Sequence, residues 1–340
     1  MKVVFDERQL LHAPAQYFRR GQMIDHPEQP QRAILLRDAL AAAGHEIVRP
    51  EDRGLDPIYA VHDRGYVDFL ASAWPRWVEA TGSTVPAVPN YHTGRRSSRP
   101  PAGVVGALGY YSTDTACPLT EGTWQAIYWS AQSALEAASI VAEGALVAYA
   151  LSRPPGHHAY RDASNGFCFL NNAAIAAGAM ADRFGTVALL DIDTHAGNGT
   201  QDIFYAREDV LVVSLHVDPS DYPPYYMGYP DETGEGPGTE RTLNIVLKPG
   251  CDEAGIFQRL EQAIAAISEF APQVLVVSLG FDMAADDPLS EVGITTDGFR
   301  RAAALISSLG LPSVLVQEGG YLGPSLGRNA VAFLGDYKVR

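Results

Sequence analysis

Positive charge is scarce in this chain. Its 25 lysines and arginines stand against 40 aspartates and glutamates, a formal net charge of −15 over 340 residues. Proteins that grip nucleic acid usually present a basic face, so that partner class is set aside. The acidic surface would attract cationic small molecules, or it serves solubility alone. Cysteine is also sparse: Cys117, Cys168 and Cys251 are scattered and odd in number. They frame no disulfide scaffold and fit a reducing, cytoplasmic compartment. No apolar run approaches the roughly 18 residues that a membrane helix needs. The start, MKVVFDERQLL, lacks an apolar segment followed by a small-residue cleavage site, so no signal peptide is read. Repeats and low-complexity tracts are absent.

Hydrophobic residues make up 46% of the chain, ample for a large core. MKVVF reads as a first strand, and QRAILLRDALAAA, residues 31 to 43, has helical periodicity. The stretch from Gly82 to Gly122 is rich in Pro, Gly and Ser with weak periodicity, and is read as a loop insertion. From residue 123 onward, Ala-rich helical segments alternate with short aliphatic ones. That order predicts an α/β fold, a mostly parallel sheet covered by helices, in a single domain.

Five aliphatic segments end in residues able to do chemistry. The endings are His157 and His158; Asp191, Asp193 and His195; Ser214 and His216; Asp282; and Glu318 with Tyr321. Ligands of open parallel sheets bind at the carboxyl ends of the strands, so these endings predict one site. Asp193 and His195 are two apart and point to the same side of an extended segment. With Asp282 they offer two oxygens and one nitrogen, a set suited to Zn²⁺ or another first-row divalent ion. Three protein ligands leave a position open for water or substrate. Alone, an Asp-x-His pair reads more readily as a loop or helix cap; Asp282 and the other strand ends reverse that reading.

In RPPGHHAY, a rigid Pro-Pro-Gly turn presents adjacent histidines, which can take and return a proton near neutral pH. Asp191 could accept a hydrogen bond from one of them and favour its imidazolium form. In EGGYLG, two glycines allow a sharp turn that exposes Tyr321, a donor for a developing oxyanion. Phe167 in NGFCFLNN and Tyr222 in DPSDYPPYY read either as pocket walls or as core.

Taken in order, HPEQPQR, VHDRGYVDFL, RPPGHHA, NGFCFLNNAAIAA, LLDIDTHAGNGTQDIFY, VSLH, SLGFDMAADDPL and EGGY resemble the histone-deacetylase-like amidohydrolases of the arginase-deacetylase superfamily. They span residues 26 to 321. The insertion, with RRSS, GYY and GTW, resembles that of the acetylpolyamine amidohydrolase subgroup, where it builds a homodimer and narrows the site's mouth. The resemblance implies an eight-stranded parallel sheet and one Zn²⁺ per subunit, held by Asp193, His195 and Asp282. It implies that His158 is the general base for the attacking water, that His157 paired with Asp191 gives electrostatic support, and that Tyr321 helps polarise the amide carbonyl. Asn198 takes the position that orients His158, where some relatives have Asp. Gly166, Phe167 and Tyr222 match the tunnel around the substrate's alkyl chain. A structural K⁺ is implied near Asp191, Asp193, His195, Ser214 and Leu215.

The implied reaction is hydrolysis of N-acetylated alkylamines such as acetylpolyamines. Acetyl-lysine side chains or other acylamides are the alternative substrates, and a catalytically inactive binding protein is a further alternative. A two-manganese arginase-like site is disfavoured, because Gly197 and Ala284 stand where extra carboxylates would be needed. Ala196 replaces a histidine common in relatives, at a position that is not a ligand. Gln16 and Val105 fall where polyamine-selective relatives carry acids, and Asp114 lies nearby.

Overall fold

The computed structural model describes residues 1–93 and 99–339. The RRSS segment of the insertion lies outside the described residues. The strands are β1 (Lys2–Val4), β2 (Gln16–Arg19), β3 (Gln22–Asp25), β4 (Glu46–Val48), β5 (Val147–Ala150), β6 (Val187–Asp191), β7 (Val210–Val217), β8 (Thr242–Leu247), β9 (Val274–Leu279) and β10 (Ser313–Gln317). Eight of them form one sheet in the order β4-β1-β5-β10-β9-β6-β7-β8, and every pairing within it is parallel. β2 and β3 form a separate antiparallel hairpin that the sequence reading did not mark.

The central strands are aliphatic throughout because both faces are covered. Along β6, Val187 and Leu189 pack into one core layer while Ala188 and Leu190 pack into the other. Helices Thr123–Ala142 and Asn172–Phe184 contribute to the first layer, and Glu253–Phe270, Thr296–Ser307 and Leu326–Asp336 to the second. Several helix starts are fixed by short polar caps, as the side-chain oxygens of Asp63, Asn171, Asp252 and Thr295 each accept a backbone N–H three residues on.

The five strands with chemically competent endings, β5, β10, β9, β6 and β7, are consecutive in the sheet. Register brings their ends level: Asp191 is paired with Ser214 on one side and Ser278 on the other. The polar residues that follow therefore meet above one sheet edge.

The insertion is more than a loop. Val104–Tyr110 is helical, Ala87 and Leu119 bridge each other, and Ala87, Val104, Ala107, Leu108, Cys117 and Leu119 are buried in the first core layer. Seven helical residues are too few to show clear periodicity in sequence.

Candidate active site

Asp193 and His195 follow directly on β6, and Asp282 follows β9. His195 Nδ1 lies 3.0 Å from Asp193 Oδ1 and 3.2 Å from Asp282 Oδ2. One ligating atom from each residue lies within 4.8 Å of the other two, and all three residues are buried. Two buried carboxylates this close repel each other. Burial and the neighbouring Asp193 push the Asp282 carboxyl up to about 7. Burial opposes the charge on Asp193 too, but His157 and His195 hold it low.

Such a cluster fits a divalent cation, which would relieve that repulsion. The backbone is shaped to the same end. A Cβ on Gly319 would stand 2.2 Å from Asp282 Oδ2 and 2.5 Å from Asp193 Oδ2. Only glycine fits there, and its N–H donates to Asp193 Oδ2 at 2.7 Å. The ligand set expected from sequence is thus brought together, and Ala196 takes no part in it.

The two histidines have different surroundings. His157 Nδ1 lies 2.9 Å from Asp191 Oδ2. Burial disfavours a charge on His157, but Asp193, Asp191 and Glu318 outweigh it and hold the imidazole well above its usual pKa. His158 Nδ1 lies 2.6 Å from Asn198 Oδ1. Burial, then the positive neighbours His157 and His195, push His158 well below its usual range. One ring is kept charged and the other neutral, a division that separates an electrostatic role from a base. Both rings are aimed by the turn before them, where the N–H groups of Gly156 and His157 donate to Glu318 Oε2 at 2.6 and 3.0 Å.

Tyr321 is set by groups that the sequence did not mark. Its N–H donates to Asp287 Oδ2 at 2.6 Å. Arg32 lies 4.9 Å from the ring centroid and donates to the carbonyls of Gly320 and Glu318 at 2.5 and 2.6 Å. Arg32 is itself paired with the buried Glu28, which also pairs Arg153. Burial raises the Tyr321 hydroxyl well above its usual pKa, so it stays protonated and able to donate.

His157, His158, His195 and Tyr321 line a cavity of about 670 Å³, walled by Phe167 and Tyr222. The Tyr222 ring stacks on His195, with centroids 4.8 Å apart and planes 17° off parallel, and its hydroxyl donates to the Leu289 carbonyl. Phe167 lies edge-on to Tyr321, with centroids 6.1 Å apart. Gly166 also lines the cavity. Ser214 and Leu215 sit in β7 beside Asp191, and Ser214 Oγ is 2.8 Å from His216 Nδ1.

Gln16 and Val105 are not among the residues that line the cavity. The hairpin offers it Tyr17, Arg19 and Arg20 instead, while Asp221 and Glu291 line it from later loops. Asp114 lines it too, but its carboxylate is engaged by the backbone N–H groups of Ala116 and Gly166, both at 2.9 Å.

A catalytic cleft of this kind on a parallel eight-stranded sheet defines the class. The chain matches the histone deacetylase domain over residues 26–336 and belongs to that family of deacetylase hydrolases. Among its relatives is the acetylpolyamine amidohydrolase of Burkholderia pseudomallei, 47% identical, with 99% of this chain and 98% of the relative covered. The acetylpolyamine amidohydrolase of Mycoplana ramosa is 37% identical, with 98% of both chains covered. The crystal structure of the acetylpolyamine aminohydrolase from B. pseudomallei superimposes with a TM-score of 0.96, covering 99% of this chain and 98% of that one. The HDA15 HD domain, 28% identical, gives 0.79, covering 98% and 89%. Among the described residues, no helix is long and apolar enough to cross a membrane.

Proposed function

We propose that this chain is a zinc-dependent amidohydrolase that removes acetyl groups from N-acetylated alkylamines, including acetylpolyamines. The carrying observation is the buried Asp193–His195–Asp282 cluster beneath a cavity lined by one neutral histidine and one protonated phenol. Relatives with that printed activity, similar over nearly the full chain, support the substrate class.

When bound, zinc supplies a Lewis acid that polarises the amide carbonyl and makes water a better nucleophile. His158 takes the proton of the attacking water at Nε2, because its Nδ1 is occupied by Asn198. It then returns the proton to the amine nitrogen as the C–N bond breaks. His157, held charged by Asp191 and its acidic neighbours, offsets the negative charge that develops. Tyr321 donates to the carbonyl oxygen as it becomes an oxyanion. Phe167 and Tyr222 hold the alkyl chain and exclude water.

The rim favours a second substrate, free Nε-acetyl-lysine. Arg19 and Arg20 line the cavity and have no acidic partner within 4.0 Å among the described residues. They offer a carboxylate a partner, while Asp221 and Glu291 offer one to an ammonium group. N-acetylcadaverine differs from Nε-acetyl-lysine only in lacking the α-carboxylate, so comparing the two tests the rim. The polyamine reading expects a higher kcat/KM for acetylputrescine and acetylcadaverine. Preference for acetyl-lysine by tenfold or more, lost in the Arg19→Ala/Arg20→Ala variant, would replace it. No hydrolysis of any of these by zinc-loaded protein would overturn the amidohydrolase reading.

The proposal extends to a single cytoplasmic domain covering residues 1–340 and to a structural potassium ion near Asp191, Asp193, His195, Ser214 and Leu215, which lie on the neighbouring strands β6 and β7 or directly after β6. It also extends to a homodimer formed through the insertion. Tyr91 and Val105 there are exposed apolar side chains, 76% and 46% accessible. Light scattering is expected to give a dimer for the wild type and a monomer for the Tyr91→Glu/Val105→Glu variant. A wild-type monomer, or a dimer that survives both changes, would refute this role.

A further inference from the structure

We propose that Asp114, supplied by the insertion, is a positioning residue that sets the tautomer of His158 through the side-chain amides of Asn165 and Asn198. The inference rests on the reading of His158 as the general base.

The contacts form an unbroken chain. Asn198 places Oδ1 on His158 Nδ1 at 2.6 Å. Its Nδ2 donates to Asn165 Oδ1 at 3.3 Å and to the Tyr160 hydroxyl at 2.7 Å. Asn165 Nδ2 in turn donates to Asp114 Oδ2 at 3.1 Å and to Thr113 Oγ1 at 2.8 Å.

A primary amide can present its oxygen or its nitrogen to a neighbour with nearly the same shape. The two hydroxyls favour the same direction, since Thr113 Oγ1 donates to the Ser164 carbonyl at 3.3 Å and the Tyr160 hydroxyl to Met227 Sδ at 3.6 Å, but a hydroxyl can rotate and exchange donor for acceptor. Asp114 is different. As a carboxylate it only accepts, and its Oδ1 and Oδ2 already accept from the N–H groups of Ala116 and Gly166. Asn165 must therefore turn its NH₂ toward Asp114 and its oxygen toward Asn198. Asn198 must then turn its NH₂ toward Asn165 and its oxygen toward His158. His158 must carry its proton on Nδ1 and keep the lone pair of Nε2 free. The polarity of the whole chain is thus set at its far end.

Asp114 also braces the ring sterically. It holds the N–H of Gly166, a residue at φ +52°. A Cβ on Gly166 would stand 2.4 Å from His158 Cδ2, so this turn lies directly against the imidazole. The insertion therefore reaches the proton-transfer residue, as well as the core and the mouth.

The competing role for a cavity-lining acid is to bind the distal ammonium of the substrate. The two roles separate in kinetics. The Asp114→Asn variant is expected to lose about 10–100-fold in kcat with KM nearly unchanged, the usual cost of removing a partner behind a functional side chain. The loss is expected to be equal for acetylputrescine and for neutral N-butylacetamide. A rise in KM confined to acetylputrescine would overturn the proposal in favour of an ammonium site.

A double-variant cycle excludes a purely structural role. In the Asn198→Asp background a carboxylate faces His158 directly and imposes the tautomer by itself. Adding Asp114→Asn there is expected to cost less than about threefold, whereas an undiminished, additive loss would show that Asp114 only stabilises the fold. The ¹⁵N NMR signals of the His158 imidazole give a readout independent of turnover. The wild type is expected to show a single Nδ1–H tautomer and Asp114→Asn a mixture. An unchanged tautomer would overturn the proposal even if the double variant fails to fold. The NMR result stands if no amide is hydrolysed, so failure of the functional reading is distinguished from failure of this one.

Discussion

Alanine in place of His158 is expected to lower kcat on acetylated amines by about 10²–10⁴-fold, the range for loss of a general acid–base group. Zinc content and the unfolding transition are expected to stay close to wild type. Three observations set this expectation. The ring lines the cavity beside His195 and Tyr321. Burial and the positive charge on its neighbour His157 keep it neutral. Its Nδ1 is engaged by Asn198, which leaves Nε2 for the proton. A charged histidine could not accept that proton, and His157 is held charged by the acids around it. His157 is thus a poor substitute although the two ring centroids are only 4.1 Å apart. Single-turnover kinetics checks the effect, because it separates chemistry from product release. A loss below tenfold would remove His158 from the proton-transfer step.

Much of this site was legible in the sequence for a physical reason. In a parallel sheet the strands are buried aliphatic runs, and the chemistry follows where each run stops. DIDTH from the last residue of β6, GFD after β9 and EGGY after β10 are local patterns, each written in consecutive residues. The adjacency of β5, β10, β9, β6 and β7 then brings them together. What supports the site was harder to read, because its parts come from distant segments. Arg32 holds the turn before Tyr321 from 288 and 286 residues away. Asp114 meets Asn165 across 51 residues. Neither arginine nor aspartate carries a local signal for such a task. Edge strand β4 is only three residues long and half-exposed, too short for an alternating pattern to stand out. The specificity positions expected at Gln16 and Val105 were inferred by placement along the chain, whereas the hairpin turns Arg19 and Arg20 to the cavity instead.

Removing one ligand of the cluster is expected to uncouple the protein from zinc entirely. For the wild type, zinc at about a thousandfold excess over its dissociation constant adds about 4 kcal/mol of stability by mass action. For a chain of this length that corresponds to a rise in Tm of about 5 °C. The Asp193→Ala variant is expected to show no zinc-dependent rise and no turnover above background. The metal-free forms provide a second comparison. In the wild type, two buried carboxylates approach His195 Nδ1 to 3.0 and 3.2 Å, and Asp193 raises the pKa of Asp282. Deleting Asp193 relieves that repulsion but takes away the acceptor for the Gly319 N–H. It also removes the foremost of the acids that keep His157 charged. The net change in metal-free stability is therefore expected to be small, while the response to zinc disappears. Calorimetric scans with and without zinc, alongside metal analysis, check both arms. A variant that still gains stability from zinc would mean that the ion binds elsewhere, and the assignment of Asp193, His195 and Asp282 as the catalytic ligands would fall.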